Sequence, residues 1–189
     1  GRNDVEINIC RWAFPGTWAA DLAASWRISS DIRPKWNSVR NIIAKNMPLS
    51  AYCRGGHFND MDMLEISRGL KENEERVHFG MWCMMSSPLL IGCDLSKIRP
   101  SSLALLKNQE LIAINQDSLA LQAYPVVAHD STYVLVKDII ARRGTTRAVA
   151  LYNSANTERR ISVKLSDLEL NGKTRLHNVF THTDLKATS

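Results

Sequence analysis

The stretch Ser25-Trp26-Arg27-Ile28-Ser29-Ser30-Asp31-Ile32 decides how the fold of this chain is interpreted. It has the pattern of a short strand that ends where a helical pattern begins. In a barrel of parallel strands, residues at the carboxyl ends of the strands reach a shared active-site face. Arg27 and Asp31 are therefore candidates for chemistry. Their structural alternatives are a salt bridge across the barrel for Arg27 and a helix N-cap for Asp31.

Strand and helix patterns alternate on both sides of this stretch. Strands are predicted at residues 5–9, 25–30, 57–62 and 88–94, and helices at residues 17–24, 31–47, 72–86 and 101–114. The run 88–91 is apolar throughout, which is typical of a parallel strand buried on both faces. The first part of the chain therefore has the content of half a (β/α)8 barrel.

The composition changes after Gln122 to short, alternating, β-branched segments. These lie at residues 124–128, 132–136, 147–151, 160–165 and 174–180, with turn-forming residues between them. The pattern predicts an antiparallel meander or sandwich. We therefore expect an α/β domain at residues 1–120, followed by an all-β domain at residues 121–189 that forms a truncated antiparallel β-sandwich.

Charge and cysteine content limit the kinds of partner. The formal net charge is +5, and the late basic residues are interleaved with acidic and apolar ones. This favours a solvated β surface over a nucleic-acid interface, which would need stacking aromatic residues.

The spacing of Cys10, Cys53, Cys83 and Cys93 does not match that of metal ligands. It favours free thiols, and one disulfide between two of the four is the alternative. No apolar run is long enough to span a membrane.

Residues 55–65 place several carboxylates in one short segment. In an extended chain, Asp60 and Asp62 point to the same side. Two close carboxylates repel each other, so each needs a hydrogen-bond donor or a cation nearby. The segment therefore predicts such partners for both side chains.

Five blocks follow one another in order along the chain. They are Cys10-Arg11-Trp12 and residues 26–32, 55–65, 87–95 and 112–117. In this order they resemble the α-galactosidases and α-N-acetylgalactosaminidases of glycoside hydrolase family 27, the melibiase-like clan. Each block alone is a weak signal, and the ordered set is specific.

The resemblance implies a (β/α)8 barrel followed by an antiparallel β domain, with retaining hydrolysis of terminal α-linked galactose. This chain would supply strands five to eight, and the family's nucleophilic Asp would lie upstream of it, on the fourth strand. The resemblance implies an α-galactoside substrate, no cofactor, no metal and no nucleic-acid or membrane partner. It allows a homodimer of the full-length protein, and members of the family are often secreted or periplasmic.

The resemblance also implies roles for individual residues. Asp31 matches the family's acid/base, which protonates the leaving oxygen and then deprotonates water. The residues implied to bind substrate are Arg27, Asp62, Met63 and Arg11. Independently of the resemblance, Trp12, Trp18 and Trp26 are candidates for a platform that stacks on a sugar, and we expect at least one of the three to lie in the core instead. We expect Asp60 and Asn59 to contact the substrate-binding residues and not the substrate itself. Arg11 replaces a Glu that is common in the family, and a cation cannot accept a hydrogen bond from a sugar hydroxyl. This departure bears on the identity of the sugar.

Two other classes of function stay open at this point. One is a non-catalytic carbohydrate-binding fragment, and the other is a basic interaction protein, which the net charge alone supports. Within the family, α-N-acetylgalactosaminidase and β-L-arabinopyranosidase are the alternative activities.

Overall fold

The fold is given by a computed structural model that describes residues 4–140, 146–170 and 174–185. Its first sheet is parallel and contains β1 (Asn8–Ile9), β2 (Ser25–Arg27) and β3 (Phe58–Asp60), in that order. Ile9 pairs with Trp26, and Trp26 pairs with Asn59. The carboxyl ends of these strands therefore lie side by side, as parallel pairing requires.

Within the described residues, the chain forms four α-helices and several short 3-10 helices. The α-helices are α1 (Trp36–Asn46), α2 (Glu72–Met84), α3 (Pro100–Leu106) and α4 (Gln109–Asn115). The 3-10 helices are Thr17–Asp21, Met47–Tyr52, Leu95–Lys97 and Leu165–Leu168. The helix predicted at 101–114 is divided in two because the Asn108 side chain accepts hydrogen bonds from the Glu110 and Leu111 amides, both at 3.0 Å, and so begins α4.

The strand predicted at residues 88–94 does not form as a buried strand. One parallel bridge joins Ile91 to Leu64, and the side chains of Leu90 and Ile91 are exposed. At the other edge of the sheet, Val5 and Ile7 are also exposed and lie outside β1. A parallel strand is buried by neighbours on both sides, and the described residues supply a neighbour on one side alone.

The antiparallel part of the chain contains a three-stranded sheet and a hairpin. The sheet is formed by β4 (Tyr124–His129), β5 (Thr132–Asp138) and β6 (Arg147–Asn153), and the hairpin by β7 (Leu176–Asn178) and β8 (Thr183–Leu185). Residues 160–165, which were predicted to be a strand, contain none and lead into the 3-10 helix Leu165–Leu168. The turn-forming residues 129–131 separate β4 from β5 as predicted, and the turn predicted at residues 143–145 lies outside the described residues. For residues 160–165, β-branched composition alone was not enough to form a strand.

The three-stranded sheet packs against the helices through one continuous core. Leu135 and Tyr152 belong to the same buried cluster as Trp82 of α2. The ammonium of Lys137 is also buried here and donates to the Ile114 and Cys83 carbonyls and to the Ser86 hydroxyl. Burial lowers the pKa of this lysine to about 8. Lys137 therefore connects β5 to the carboxyl-terminal ends of α2 and α4.

A cluster of charged side chains holds the hairpin against α4. The two ring nitrogens of His177 lie 2.8 Å from Glu110 Oε2 and 2.8 Å from Asp184 Oδ1. His182 Nδ1 lies 2.7 Å from Glu110 Oε1, and Arg175 pairs with Asp184. A neutral imidazole carries one N–H, so His177 can donate to both carboxylates only when it is protonated. The contacts with Asp184 and Glu110 raise the pKa of His177.

We expect His177 to stabilise the fold at acidic pH and to lose this effect in alkaline solution. Its contribution is fully present below the ordinary imidazole pKa of about 6.5 and disappears as the pH rises through the raised pKa of the folded state. Replacing His177 with Gln should therefore lower the thermal midpoint more at about pH 5 than at about pH 8. His129→Gln, which changes an exposed histidine at the last position of β4, is the control. Equal losses at both pH values would contradict this account.

Candidate functional site

Polar side chains collect where the parallel strands end. Trp12 follows β1, Asp31 follows β2 by four residues, and Asp60 is the last residue of β3. Because the three strands are parallel neighbours, their carboxyl ends bring these residues to one face. The structure therefore brings Trp12, Asp31 and Asp60 together at the carboxyl ends of the parallel strands.

Asp31 presents a carboxyl group whose two oxygens differ in their surroundings. Its Oδ1 accepts hydrogen bonds from Trp12 Nε1 at 3.1 Å and from Arg27 Nη2 at 3.2 Å. Its Oδ2 has no donor among the residues that the structure describes, and the side chain is 72% exposed. The alternative role as a helix N-cap is wrong, because Lys35 is the N-cap of α1. Asp31 is thus held at one oxygen and open at the other.

Arg27 lies between two carboxylates. It is buried, and its Nη2 is 2.6 Å from Asp62 Oδ2 and 3.2 Å from Asp31 Oδ1. Its buried Nε has no acceptor in the described part of the chain. Pairing compensates the desolvation of the guanidinium and of the largely buried Asp62. The same side chain orients Asp31.

Asp62 has a constrained position. Its φ is 76°, which is uncommon for a residue other than glycine and is best tolerated by Asn and Asp. Its Oδ2 accepts from the Ile32 amide at 2.8 Å as well as from Arg27, and its Oδ1 accepts from the Met63 amide at 2.8 Å. A carboxylate offers about four lone-pair positions. Three are therefore occupied by protein donors, and about one is left for a ligand hydroxyl.

Asp60 and Asn59 face the interior behind this group. Asp60 Oδ1 accepts from the Asp62 amide at 2.8 Å, and Asp60 Oδ2 accepts from Asn8 Nδ2 at 3.0 Å. Asn59 Oδ1 accepts from Trp26 Nε1 at 2.8 Å. Each acid therefore has its own donors, as their mutual repulsion requires.

The two tryptophans predicted to bind substrate differ sharply. Trp26 is 2% exposed and its indole N–H is used by Asn59, so it has no free face for a sugar and is left out of the site proposed below. Trp12 is 60% exposed. Arg11 is exposed beside it, and Met63 is half-buried against Gly92.

Two partners of the site were missed by the reasoning from sequence. Asn8 reaches Asp60 across 52 positions of chain, and Trp82 Nε1 donates at 2.8 Å to the Asp62 carbonyl across 20 positions. No local motif connects these pairs.

Asp31 also lines an open groove of about 380 Å³ along α1. Its other polar side chains are Ser29, Ser30, Ser38, Asn41 and Lys45.

Within the described ranges, no group of three or more His, Cys, Asp or Glu side chains could hold a metal ion. The four cysteines are free thiols, and burial raises the pKa of Cys53 to about 11 and that of Cys83 to about 12. No helix of the described residues is long and apolar enough to cross a membrane.

Comparison with known proteins identifies the family. The model of the Melibiase_2 family, described as alpha galactosidase A, matches residues 15–117, which is more than half of the chain. The chain belongs to this family. The match includes Arg27, Asp31 and Asp62, and it confirms the resemblance inferred from the ordered blocks.

Individual members of the melibiase family show the same relationship. Alpha-galactosidase 2 of Arabidopsis thaliana is 36% identical over 170 residues, which are 88% of this chain and 42% of that protein. A Bacteroides fragilis structure described as an α-galactosidase/melibiase is 32% identical, with a TM-score of 0.91 over 98% of this chain and 43% of its own. Alpha-galactosidase I of Mortierella vinacea has 26% identity and a TM-score of 0.85, covering 94% of this chain and 52% of its own. The chain thus spans about half the length of these proteins.

Proposed function

We propose that this chain is part of a retaining glycosidase that releases terminal α-linked galactose, with Asp31 as the acid/base. The observation that carries the proposal is the state of the Asp31 carboxyl group. Trp12 and Arg27 fix one oxygen, and the other is exposed at the strand ends, in a chain of the melibiase family. A proton donor needs this combination of fixed orientation and access.

The proposed reaction has two steps. In the first, protonated Asp31 gives its proton to the glycosidic oxygen while a second carboxylate attacks the anomeric carbon and the C–O bond breaks. In the second, ionised Asp31 removes a proton from water, and this water hydrolyses the covalent intermediate. Arg27 and Trp12 donate to Asp31 Oδ1 and would stabilise the ionised form that links the two steps.

The second carboxylate is proposed to come from outside this chain. Retaining enzymes keep the two carboxyl groups about 5–5.5 Å apart. Asp60 and Asp62, the acids nearest to the site, are occupied by protein donors. Apolar side chains are exposed at both edges of the sheet, Val5 and Ile7 at one edge and Leu90 and Ile91 at the other. Their exposure supports the proposal that further strands cover both edges in the full-length protein. We therefore keep the proposal of a half barrel at residues 1–120 and a β domain at residues 121–189.

An α-galactoside is favoured over the related substrates. Relatives at 36% and 33% identity, from Arabidopsis thaliana and rice, are named α-galactosidases. A β-L-arabinopyranosidase from Geobacillus stearothermophilus matches at 21% identity, which shows the fold alone. Asp62 has about one open lone-pair position, which could accept a hydrogen bond from a galactose hydroxyl. Met63 would contact the apolar face of the galactose ring. A homodimer of the full-length protein stays a prediction.

The proposal is tested with the full-length protein and with the isolated 189-residue chain. We expect the full-length protein to hydrolyse a nitrophenyl α-galactoside and the isolated chain to show no turnover, because it lacks the nucleophile. Turnover by the isolated chain would contradict the proposal. Galactose binding without hydrolysis by either form would instead favour a carbohydrate-binding fragment.

A further inference from the structure

Trp12 has an unusual combination of backbone strain and exposure. Its φ is 60°, and its side chain is 60% exposed. A bulky residue in the left-handed region is strained, and such strain persists where surrounding interactions impose it. Burial of the indole does not offset this strain. The specific polar contact of the side chain is its hydrogen bond to Asp31 Oδ1.

That hydrogen bond determines which Asp31 oxygen can move a proton. Trp12 Nε1 and Arg27 Nη2 both point N–H groups at Oδ1, so a proton on this oxygen would meet two donors. Oδ2 has no donor among the described residues and can carry the proton. The indole N–H also becomes a charge-assisted donor when Asp31 ionises, and such hydrogen bonds are stronger than neutral ones.

We propose that Trp12 is a positioning residue for proton transfer, which orients Asp31 so that Oδ2 faces the leaving oxygen and stabilises the carboxylate formed there. The inference rests on the function proposed above. When the C–O bond breaks, its electron pair goes to the leaving oxygen, the proton moves from Oδ2 to that oxygen, and the negative charge that remains on Asp31 is shared with Oδ1. Trp12 therefore acts on the step in which the leaving group departs.

The first experiment measures leaving-group dependence in the full-length protein. Trp12→Phe keeps an aromatic ring and removes the N–H donor. It should lower kcat by about tenfold for phenyl α-galactoside and change kcat little for dinitrophenyl α-galactoside, which needs no proton, with KM nearly unchanged for both. Trp18→Phe is the matched control, because Trp18 is also an exposed tryptophan and, within the described residues, donates no hydrogen bond to Asp31.

A second measurement tests the contact without any activity. The chain has five tryptophans, so ¹⁵N-labelled tryptophan gives a small set of indole N–H signals. Asp31→Ala should displace the Trp12 indole signal and leave the Trp18 signal in place. An unmoved Trp12 signal would overturn the inference even if Trp12→Phe failed to fold.

The outcomes separate this inference from the proposed function. If the wild-type full-length protein hydrolyses neither substrate, the proposed function is wrong and the inference is wrong with it. If the wild type is active and Trp12→Phe loses activity equally on both substrates, or changes KM alone, the function stands and the role of Trp12 is overturned.

Discussion

Replacing Asp31 with Ala in the full-length protein is expected to lower turnover of phenyl α-galactoside by about 10²–10⁴-fold. The phenolate leaving group needs a proton as the C–O bond breaks, and Asp31 carries the open oxygen that would supply it. A dinitrophenolate leaves without protonation, so the first step on that substrate should be largely preserved. Its hydrolysis should then be limited by the second step, where Asp31 acts as the base, and the covalent intermediate should accumulate as a burst of released dinitrophenol.

The comparison between the two substrates is the decisive part of this experiment. Asp21→Ala, which removes an exposed carboxylate from the 3-10 helix Thr17–Asp21, is the control and should behave as the wild type on both. Losses of equal size on both substrates, with no burst, would show that Asp31 supports folding or binding and does not transfer protons.

Replacing Arg27 with Met is expected to lower the free energy of unfolding by about 3–5 kcal/mol and to abolish hydrolysis. The loss of the guanidinium leaves the largely buried Asp62 carboxylate without its cation at 2.6 Å, and it releases one of the two donors on Asp31. Urea unfolding of the full-length protein gives the stability change. Arg33→Met, which removes an exposed guanidinium from the loop before α1, is the matched control.

A double variant distinguishes the two effects of Arg27. Asn tolerates the left-handed backbone at position 62 and carries no charge, so Arg27→Met/Asp62→Asn should recover part of the stability lost in Arg27→Met. Activity should not return, because Asp31 remains without its arginine. A double variant no more stable than Arg27→Met would show that the uncompensated charge of Asp62 is not the source of the loss.

The helices were predictable because their signals are local. Apolar residues three and four positions apart on α1 and α2 are buried, as in Val39 and Ile43 of α1 and Met81 and Met84 of α2, and this spacing is typical of a helix with one apolar face. Strand pairing was less predictable, because it depends on partners far away in the chain. Residues 88–91 have the composition of a buried strand, but they form a single bridge with Leu64, and Leu90 and Ile91 are exposed in the absence of a further neighbour.

In the candidate site, too, features with a local sequence signal were predictable and features that depend on distant residues were not. Arg27 and Asp31 are four residues apart, and a strand-end argument was enough to suggest both. The two tryptophans look alike in sequence, yet Trp26 donates to Asn59 in the core and Trp12 donates to Asp31 at the surface. These contacts cross 33 and 19 positions of chain, so tertiary packing alone decides between them. The left-handed backbone of Asp62 also had no sequence signal, because glycine is the residue usually expected there.

The measurement that tests the central claim most directly is the stereochemistry of hydrolysis by the full-length protein. Proton NMR during cleavage of a nitrophenyl α-galactoside distinguishes the two anomers of galactose before they interconvert. We predict that α-galactose appears first, because a double displacement that uses Asp31 and a nucleophilic carboxylate retains the configuration of the anomeric carbon. The initial appearance of β-galactose, or no release of galactose, would contradict the account.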